Sequence, residues 1–276
     1  MNLEQSGYCR VVSSDGVQLC VRAQGSRDKP SIVFIHGFSQ SHVSWIKQFD
    51  GNLAAQFQLV AFDLRGHGWS DKPADAAAYR EPRRWGDDVA AVLDALGVHR
   101  AVFVGWSYGG HVILDYIATH GAGAVSGINF VAAVIGDKRE YYAADIRSLR
   151  DTLAEDPLAS IDGTRRFLRA CFATQPDDAS FERILACAAM VPPRIRSNLL
   201  GRRVGGHDIL AGLRVPVLFT QGSEDRIVSP EMSRYGVTTV PNASVSLYSG
   251  VGHTPFFEAA ERFDRELASF VRTCDV

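Results

Sequence analysis

Val102-Phe103-Val104-Gly105-Trp106-Ser107-Tyr108-Gly109-Gly110 is an apolar, strand-like run that stops at Gly105, presents Ser107 and leaves through Gly109 and Gly110 into a helical pattern. A serine on so sharp a strand-to-helix turn takes strained backbone angles. Its neighbours two before and two after, Gly105 and Gly109, must therefore lack side chains that would collide. The turn exposes Oγ above a helix N-terminus, where the Tyr108 amide has no intrahelical partner and can face an oxyanion. This is the pattern of a nucleophile elbow. Five such residues also recur by chance, and a serine at a helix start can be a plain N-cap, so the weight falls on the rest of the chain.

Outward from the elbow, strand and helix patterns alternate, which predicts a mostly parallel sheet with helices on both faces. Tyr8 to Val12 and Val17 to Ala23, joined by Ser14-Asp15-Gly16, read as an antiparallel hairpin. Ile32 to Ile35, Leu59 to Phe62, Ala101 to Val104, Ile128 to Val134, Val217 to Thr220 and Ser244 to Tyr248 are apolar or nearly so, as strands buried on both faces should be. The expectation is an α/β domain on an eight-stranded sheet. Its clearest helices are Arg84 to Leu96, Tyr108 to Thr119 and Phe256 to Arg272, with apolar residues at three and four spacing.

The long stretch from Asp137 to Gly205 has no strand pattern but carries helix-like segments at Tyr141 to Leu153, Gly163 to Phe172, Phe181 to Met190 and Arg194 to Leu200, interrupted by prolines. A structureless loop of that length is rare inside a compact domain. Residues 137–205 are therefore read as a helical cap inserted into a core made of 1–136 and 206–276, above the strand ends where open α/β sheets bind ligands.

Composition narrows the function. A net charge of −2 over 276 residues, with no basic block, argues against nucleic acid. The five cysteines have neither C-x-x-C nor zinc spacing, and Met1 to Tyr8 lack a signal pattern, so free thiols and a cytoplasmic location are expected. The apolar runs are too short to span a membrane. Without H-E-x-x-H, a P-loop or a dinucleotide fingerprint, no metal or organic cofactor is expected, and the partner is a small-molecule substrate.

A nucleophilic Ser107 needs a base, an acid to orient that base and a second oxyanion donor. His253, in Gly250-Val251-Gly252-His253-Thr254-Pro255, follows the last strand pattern. Asp225, in Gln221-Gly222-Ser223-Glu224-Asp225, follows the strand before it and is preferred over Asp137, which also stands at a strand end. The chain order Ser, Asp, His is the one that goes with this elbow. The amide of Phe38, in the loop tightened by Gly37, can converge with that of Tyr108 on one oxyanion. His36, Asp63, Arg65 and His67 are read as loop organisers, and Glu224 as pointing to solvent.

Taken with Asp63-Leu64-Arg65-Gly66-His67-Gly68-Trp69-Ser70, these motifs make the chain resemble the α/β-hydrolase superfamily, in its capped, serine-nucleophile branch of esterases and non-heme haloperoxidases. The resemblance covers nearly everything outside the cap. It implies that Ser107, Asp225 and His253 form a triad, with Phe38 and Tyr108 as the oxyanion hole, acting on a small ester. Serine at the elbow sets the chain apart from aspartate-nucleophile relatives. The loop after His36-Gly37 also lacks the proline usual in epoxide hydrolases. Perhydrolysis, carbon–carbon bond hydrolysis, acyl-thioester hydrolysis and a ligand receptor built on the same scaffold remain as alternatives. Trp106, Ile135, Phe172, Met190, Val228 and Phe256 are candidates for an apolar pocket. Arg165, Arg166, Arg169, Arg194 and Arg196 are read as a solvated cap face, with an anion-binding role as the rival. The acyl group, the leaving group and the oligomeric state stay open.

Overall fold

The computed structural model describes residues 7–203 and 205–275. Met1 to Ser6, part of the segment read above as lacking a signal pattern, lie outside them, as do Val204 and Val276. Eight strands form one sheet: β1 Tyr8–Val12, β2 Gln18–Gln24, β3 Ser31–Ile35, β4 Gln58–Phe62, β5 Ala101–Trp106, β6 Val125–Val131, β7 Val217–Gly222 and β8 Ala243–Tyr248. Their spatial order is β1-β2-β4-β3-β5-β6-β7-β8. β2 runs antiparallel to both β1 and β4, and the other pairings are parallel. β3, β4, β5, β6 and β7 are buried along their whole length, as their continuous apolar runs require.

Helices Pro82–Leu96 and Tyr108–His120 pack together on one face. The first opens with Pro82, whose missing N–H costs nothing at that position, and closes on left-handed Gly97 (φ 67°). The other face is an aromatic cluster of Phe34, Trp45, Phe49, Phe256 and Phe263 under helix Ala260–Val271. Because side chains alternate along β5, Phe103 goes to the first face, and Val104 and Trp106 go to the second.

Between β6 and β7 the chain runs through two 3₁₀ segments, Arg139–Tyr141 and Ala144–Leu153, and helices Pro157–Ala170, Asp178–Ala189 and Pro193–Leu200. Pro157 and Pro193 open helices, where the sequence reading treats prolines only as interruptions. Asp156 and Asp177 cap the helices they precede, each accepting from a backbone amide of the first turn. The whole insert packs on loops at the strand ends: Gln40 Nε2 donates to the Ile184 carbonyl at 3.3 Å and the His253 amide to the Cys171 carbonyl at 2.8 Å.

Three other expectations are corrected. The strand read as Ile128 to Val134 begins at Val125 and ends at Val131, because Ala132 takes a left-handed turn (φ 43°) that lifts the chain off the sheet. β8 is an edge strand rather than one buried on both faces, leaving Val245 and Leu247 49% and 52% exposed. The last helix breaks at Ala259 (φ −130°) into Pro255–Glu258 and Ala260–Val271. Helix Pro230–Thr239, between β7 and β8, has no counterpart in the sequence reading.

The elbow depends on how closely the helix after β5 meets the end of β3. A Cβ on Gly109 would stand 2.3 Å from the Ile35 carbonyl oxygen. Gly109→Ala must push helix and strand apart, and it is expected to lower the unfolding free energy by about 3 kcal/mol. Urea denaturation checks this.

Candidate active site

Ser107 follows β5 with φ 52° and ψ −115°, a conformation that carries strain for any residue with a side chain. The surrounding backbone fixes it from both sides. Its amide donates to the Val131 carbonyl at 3.0 Å, and its carbonyl accepts from the amides of Gly110 at 3.0 Å and Val134 at 2.8 Å. The turn after β6 therefore braces the turn after β5.

His253 lies in the loop after β8, 1% exposed, and its Nδ1 is 2.8 Å from Asp225 Oδ2. Asp137 is exposed. The Asp225 carboxylate is held in turn: Oδ1 accepts from the amides of Ile227 at 2.8 Å and Val228 at 2.9 Å, and Oδ2 accepts from Gln221 Nε2 at 3.0 Å. Gln221 is oriented by Ser233, whose hydroxyl donates to its Oε1 at 2.9 Å. The sequence reading quotes Gln221 only as the start of a turn and gives it no role. A buried polar side chain closing an apolar strand was the available signal.

The two loops are packed backbone to backbone, since a Cβ on Gly222 would lie 2.0 Å from the Gly252 carbonyl. Trp106, the residue before Ser107, donates from its indole Nε1 to the His253 carbonyl at 2.9 Å. Elbow and histidine loop are thus tied directly. Glu258 adds a second fastening. Its Oε1 accepts from the Gly252 amide and the Thr254 hydroxyl, both at 3.0 Å, and its Oε2 accepts from the amides of Ala173 at 2.9 Å and Thr174 at 2.8 Å in the insert.

On the other side of Ser107, His36 orients the Gly37–Phe38 peptide. Its Nε2 accepts from the Leu64 amide at 3.0 Å, which leaves the proton on Nδ1 to donate to the Gly37 carbonyl at 2.8 Å. In a trans peptide the N–H points opposite to the carbonyl, so pinning the Gly37 oxygen fixes the direction of the Phe38 N–H. Burial pushes His36 down to about 4 and His67 to about 3, the latter helped by His36 beside it. Both rings are therefore neutral acceptor–donor braces. His67 takes the Ser39 amide at 3.3 Å on Nε2 and meets the Arg65 carbonyl at 3.0 Å through Nδ1. Arg65 is clamped between Asp88 and Asp15. Cys20, His42 and Asp63 bring ligand-type atoms within 4.8 Å of one another. The Asp63 oxygens, however, are occupied by the His42 amide and ring at 2.7 and 2.8 Å and by the Trp69 amide at 2.8 Å, the bonding of a loop brace rather than of a metal centre.

Two cavities lie under the insert. One, of about 130 Å³, contains Ser107 and is walled by Phe38, Tyr108, Val134, Phe167 and Val228 among others. The other, of about 210 Å³, is walled by Trp106, Phe172, Phe256 and Phe257, with Lys47 and Arg183 among its other residues. Of the six pocket candidates, Val228 faces the serine cavity and Trp106, Phe172 and Phe256 face its neighbour. Ile135 is packed in the core, and Met190 is in neither wall. The arginine reading is corrected at one position. Arg165, Arg166 and Arg194 are exposed and Arg169 half-buried, but Arg196 is 3% exposed and bonded to Thr152, Thr164 and Ala188 inside the insert.

The sequence pattern of the alpha/beta hydrolase family matches residues 32–266. The chain belongs to this family. It is 28% identical to a bifunctional esterase/perhydrolase of Acinetobacter calcoaceticus, over 97% of this chain and 100% of that one. With a non-heme chloroperoxidase of Streptomyces lividans it shares 26% identity, covering 95% and 99% of the two chains. The crystal structure of esterase RhEst1 from Rhodococcus sp. ECU1013 superposes with a TM-score of 0.91 at 34% identity, covering 98% of this chain and 100% of the other. Among the described residues, no helix is long and apolar enough to cross a membrane.

The buried histidines predict acid sensitivity. His36, His67 and His111, the last held to about 3 by burial and by Arg202, refuse protons that their unfolded counterparts accept near pH 6.5. Their contribution to stability is complete above that pH and is lost as pH falls toward their folded values. Asp115, raised to about 6 by burial against the pull of Arg202, acts in the opposite sense, as do Asp88 and Asp264, which burial also raises. Urea unfolding is expected to weaken from pH 6.5 to 4.5 by on the order of 2 kcal/mol per pH unit. A flat profile would contradict the assignment.

Proposed function

We propose that the chain is a serine hydrolase that cleaves small esters through an acyl-enzyme, with Ser107 as nucleophile, His253 as base and Asp225 orienting the base. The observation that carries this reading is the buried Asp225–His253 hydrogen bond of 2.8 Å, on a loop tied to Trp106, the residue beside Ser107. Asp225 holds the proton on Nδ1 and leaves Nε2 to take one from Ser107. Ser107 Oγ attacks the ester carbonyl as His253 removes its proton, and the amides of Phe38 and Tyr108 receive the oxyanion. His253 then returns the proton to the departing alcohol. Water repeats the cycle on the acyl-serine and releases the acid.

Support also comes from the esterase names of relatives that match nearly end to end. Residues 137–205 act as a cap that shields the acyl-enzyme. The all-thiol state of the five cysteines supports a cytoplasmic setting. The esterase/perhydrolase relative favours a second reading in which hydrogen peroxide replaces water in the deacylation step and yields a peracid.

Ser107→Ala is expected to abolish p-nitrophenyl acetate hydrolysis and labelling by a fluorophosphonate probe. Full activity in that variant would remove the reading. Asp225→Asn should lower kcat by about 10⁴-fold, as loss of the orienting acid does elsewhere. Asp137→Asn should stay within twofold of wild type in the same assay. Peracid formation in acetate and peroxide, measured by halide oxidation, separates the second reading from the first.

A further inference from the structure

The second cavity under the insert, of about 210 Å³, shares no wall residue with the cavity that contains Ser107. Its apolar walls are largely aromatic. Trp106 and Phe256 meet edge to face with ring centroids 5.0 Å apart, and Phe172 and Phe257 do the same at 5.7 Å. An apolar cavity of about 150 Å³ holds one benzene, so this one admits a single ring with a short tail. Two cations stand in the same walls, Lys47 from helix Ile46–Asp50 of the core and Arg183 from helix Asp178–Ala189 of the insert. The Lys47 ammonium donates to the Phe257 carbonyl at 2.7 Å and lies 3.9 Å from the centre of the Phe257 ring, which holds it against the aromatic wall. The carboxylates around them are engaged elsewhere: Asp50, also in the wall, faces Arg22 at 3.8 Å, and Asp177 accepts from the Ser180 amide at 2.8 Å and hydroxyl at 2.9 Å. Among the described residues, neither Lys47 nor Arg183 forms an ion pair.

We infer that this cavity is a binding site for an aromatic carboxylate of one ring and a short chain, separate from the serine cavity. The inference goes beyond the reading of Ser107 and does not depend on it. A ring fits because the aromatic walls offer faces and edges to pack against, and these contacts add to the burial of apolar surface. The acid group fits because two unpaired cations outnumber the one carboxylate in the wall. Both cationic residues are exposed, so the ligand's carboxylate keeps its contact with water while the ring is buried. Its attraction to Lys47 and Arg183 is that of solvent-exposed pairs, modest and weakened by salt.

The probe is 3-phenylpropanoate, titrated by ligand-observed NMR at low ionic strength beside 3-phenylpropanamide, which keeps the ring and loses the charge, and acetate, which keeps the charge and loses the ring. The acid should bind with a Kd of about 1 mM or tighter, the amide about tenfold more weakly, and acetate without saturation. Added salt should bring acid and amide together. After Ser107 has been blocked with diethyl p-nitrophenyl phosphate, the acid should still bind within twofold of its original Kd. Replacing both cations, Lys47→Gln with Arg183→Gln, should reduce the preference for acid over amide to within twofold. No saturable binding, equal binding of acid and amide, loss of binding on blocking Ser107, or a preference that survives the double substitution overturns the inference. The wild-type comparison decides this even if the double variant fails to fold. If Ser107 takes no phosphate, the reading of Ser107 falls, and the acid–amide comparison and the double variant still decide the site.

Discussion

Everything at this site depends on one close approach of backbone to backbone, where the helix that begins at Tyr108 presses on the carboxyl end of β3. Gly109 meets the Ile35 carbonyl with no room for a side chain, and the residue two before it in the chain turns through φ 52°. That contact sets where Ser107 stands relative to the loop after β3, because His36 and Gly37 directly follow Ile35 in that loop. The strain at Ser107 is held by hydrogen bonds from the turn after β6. Three strand ends thus fix one hydroxyl, and the large buried sheet supplies the stiffness that keeps them in register.

The core was legible because its signal is local. β3, β4, β5 and β7 are dominated by Val, Ile, Leu and Phe, with polar residues only at their ends, and such strands must be buried on both sides. Legibility fell where tertiary context decides. Val125-Ser126-Gly127 looks too polar and too small to start a strand, yet all three are buried between β5 and β7. Ser244 to Tyr248 looks like an interior strand, but among the described residues nothing pairs beyond it. Pro157 and Pro193 break a pattern read from the N-terminal side and begin one read from the C-terminal side. Helix Pro230–Thr239 carries few apolar residues, since it only needs to bury Met232 and two small residues, Ser233 and Gly236.

The same division runs through the site. Ser107, Asp225 and His253 stand out because each sits in a glycine- or proline-marked loop directly after a strand pattern, and topology then has few ways to arrange such loops apart. The residues that hold them do not stand out. Gln221 orients Asp225, His36 sets the direction of the Gly37–Phe38 peptide, and Trp106 anchors His253 through an indole N–H. The Trp106 bond spans 147 residues of chain, and the short ones, four residues for Gln221 and one for His36, depend on how each loop is folded. Arg202 likewise binds a tyrosine hydroxyl 94 residues away.

Glu258 couples the insert mechanically to the loop that carries His253. One carboxylate holds the amides of Ala173 and Thr174 in the insert with one oxygen, and the Gly252 amide and Thr254 hydroxyl on either side of His253 with the other. Any outward swing of the 173–174 turn must therefore break bonds to the same group that steadies the imidazole. On the proposed reading of His253 as the base, displacing that turn and freeing the loop of the imidazole would be one cooperative step rather than two.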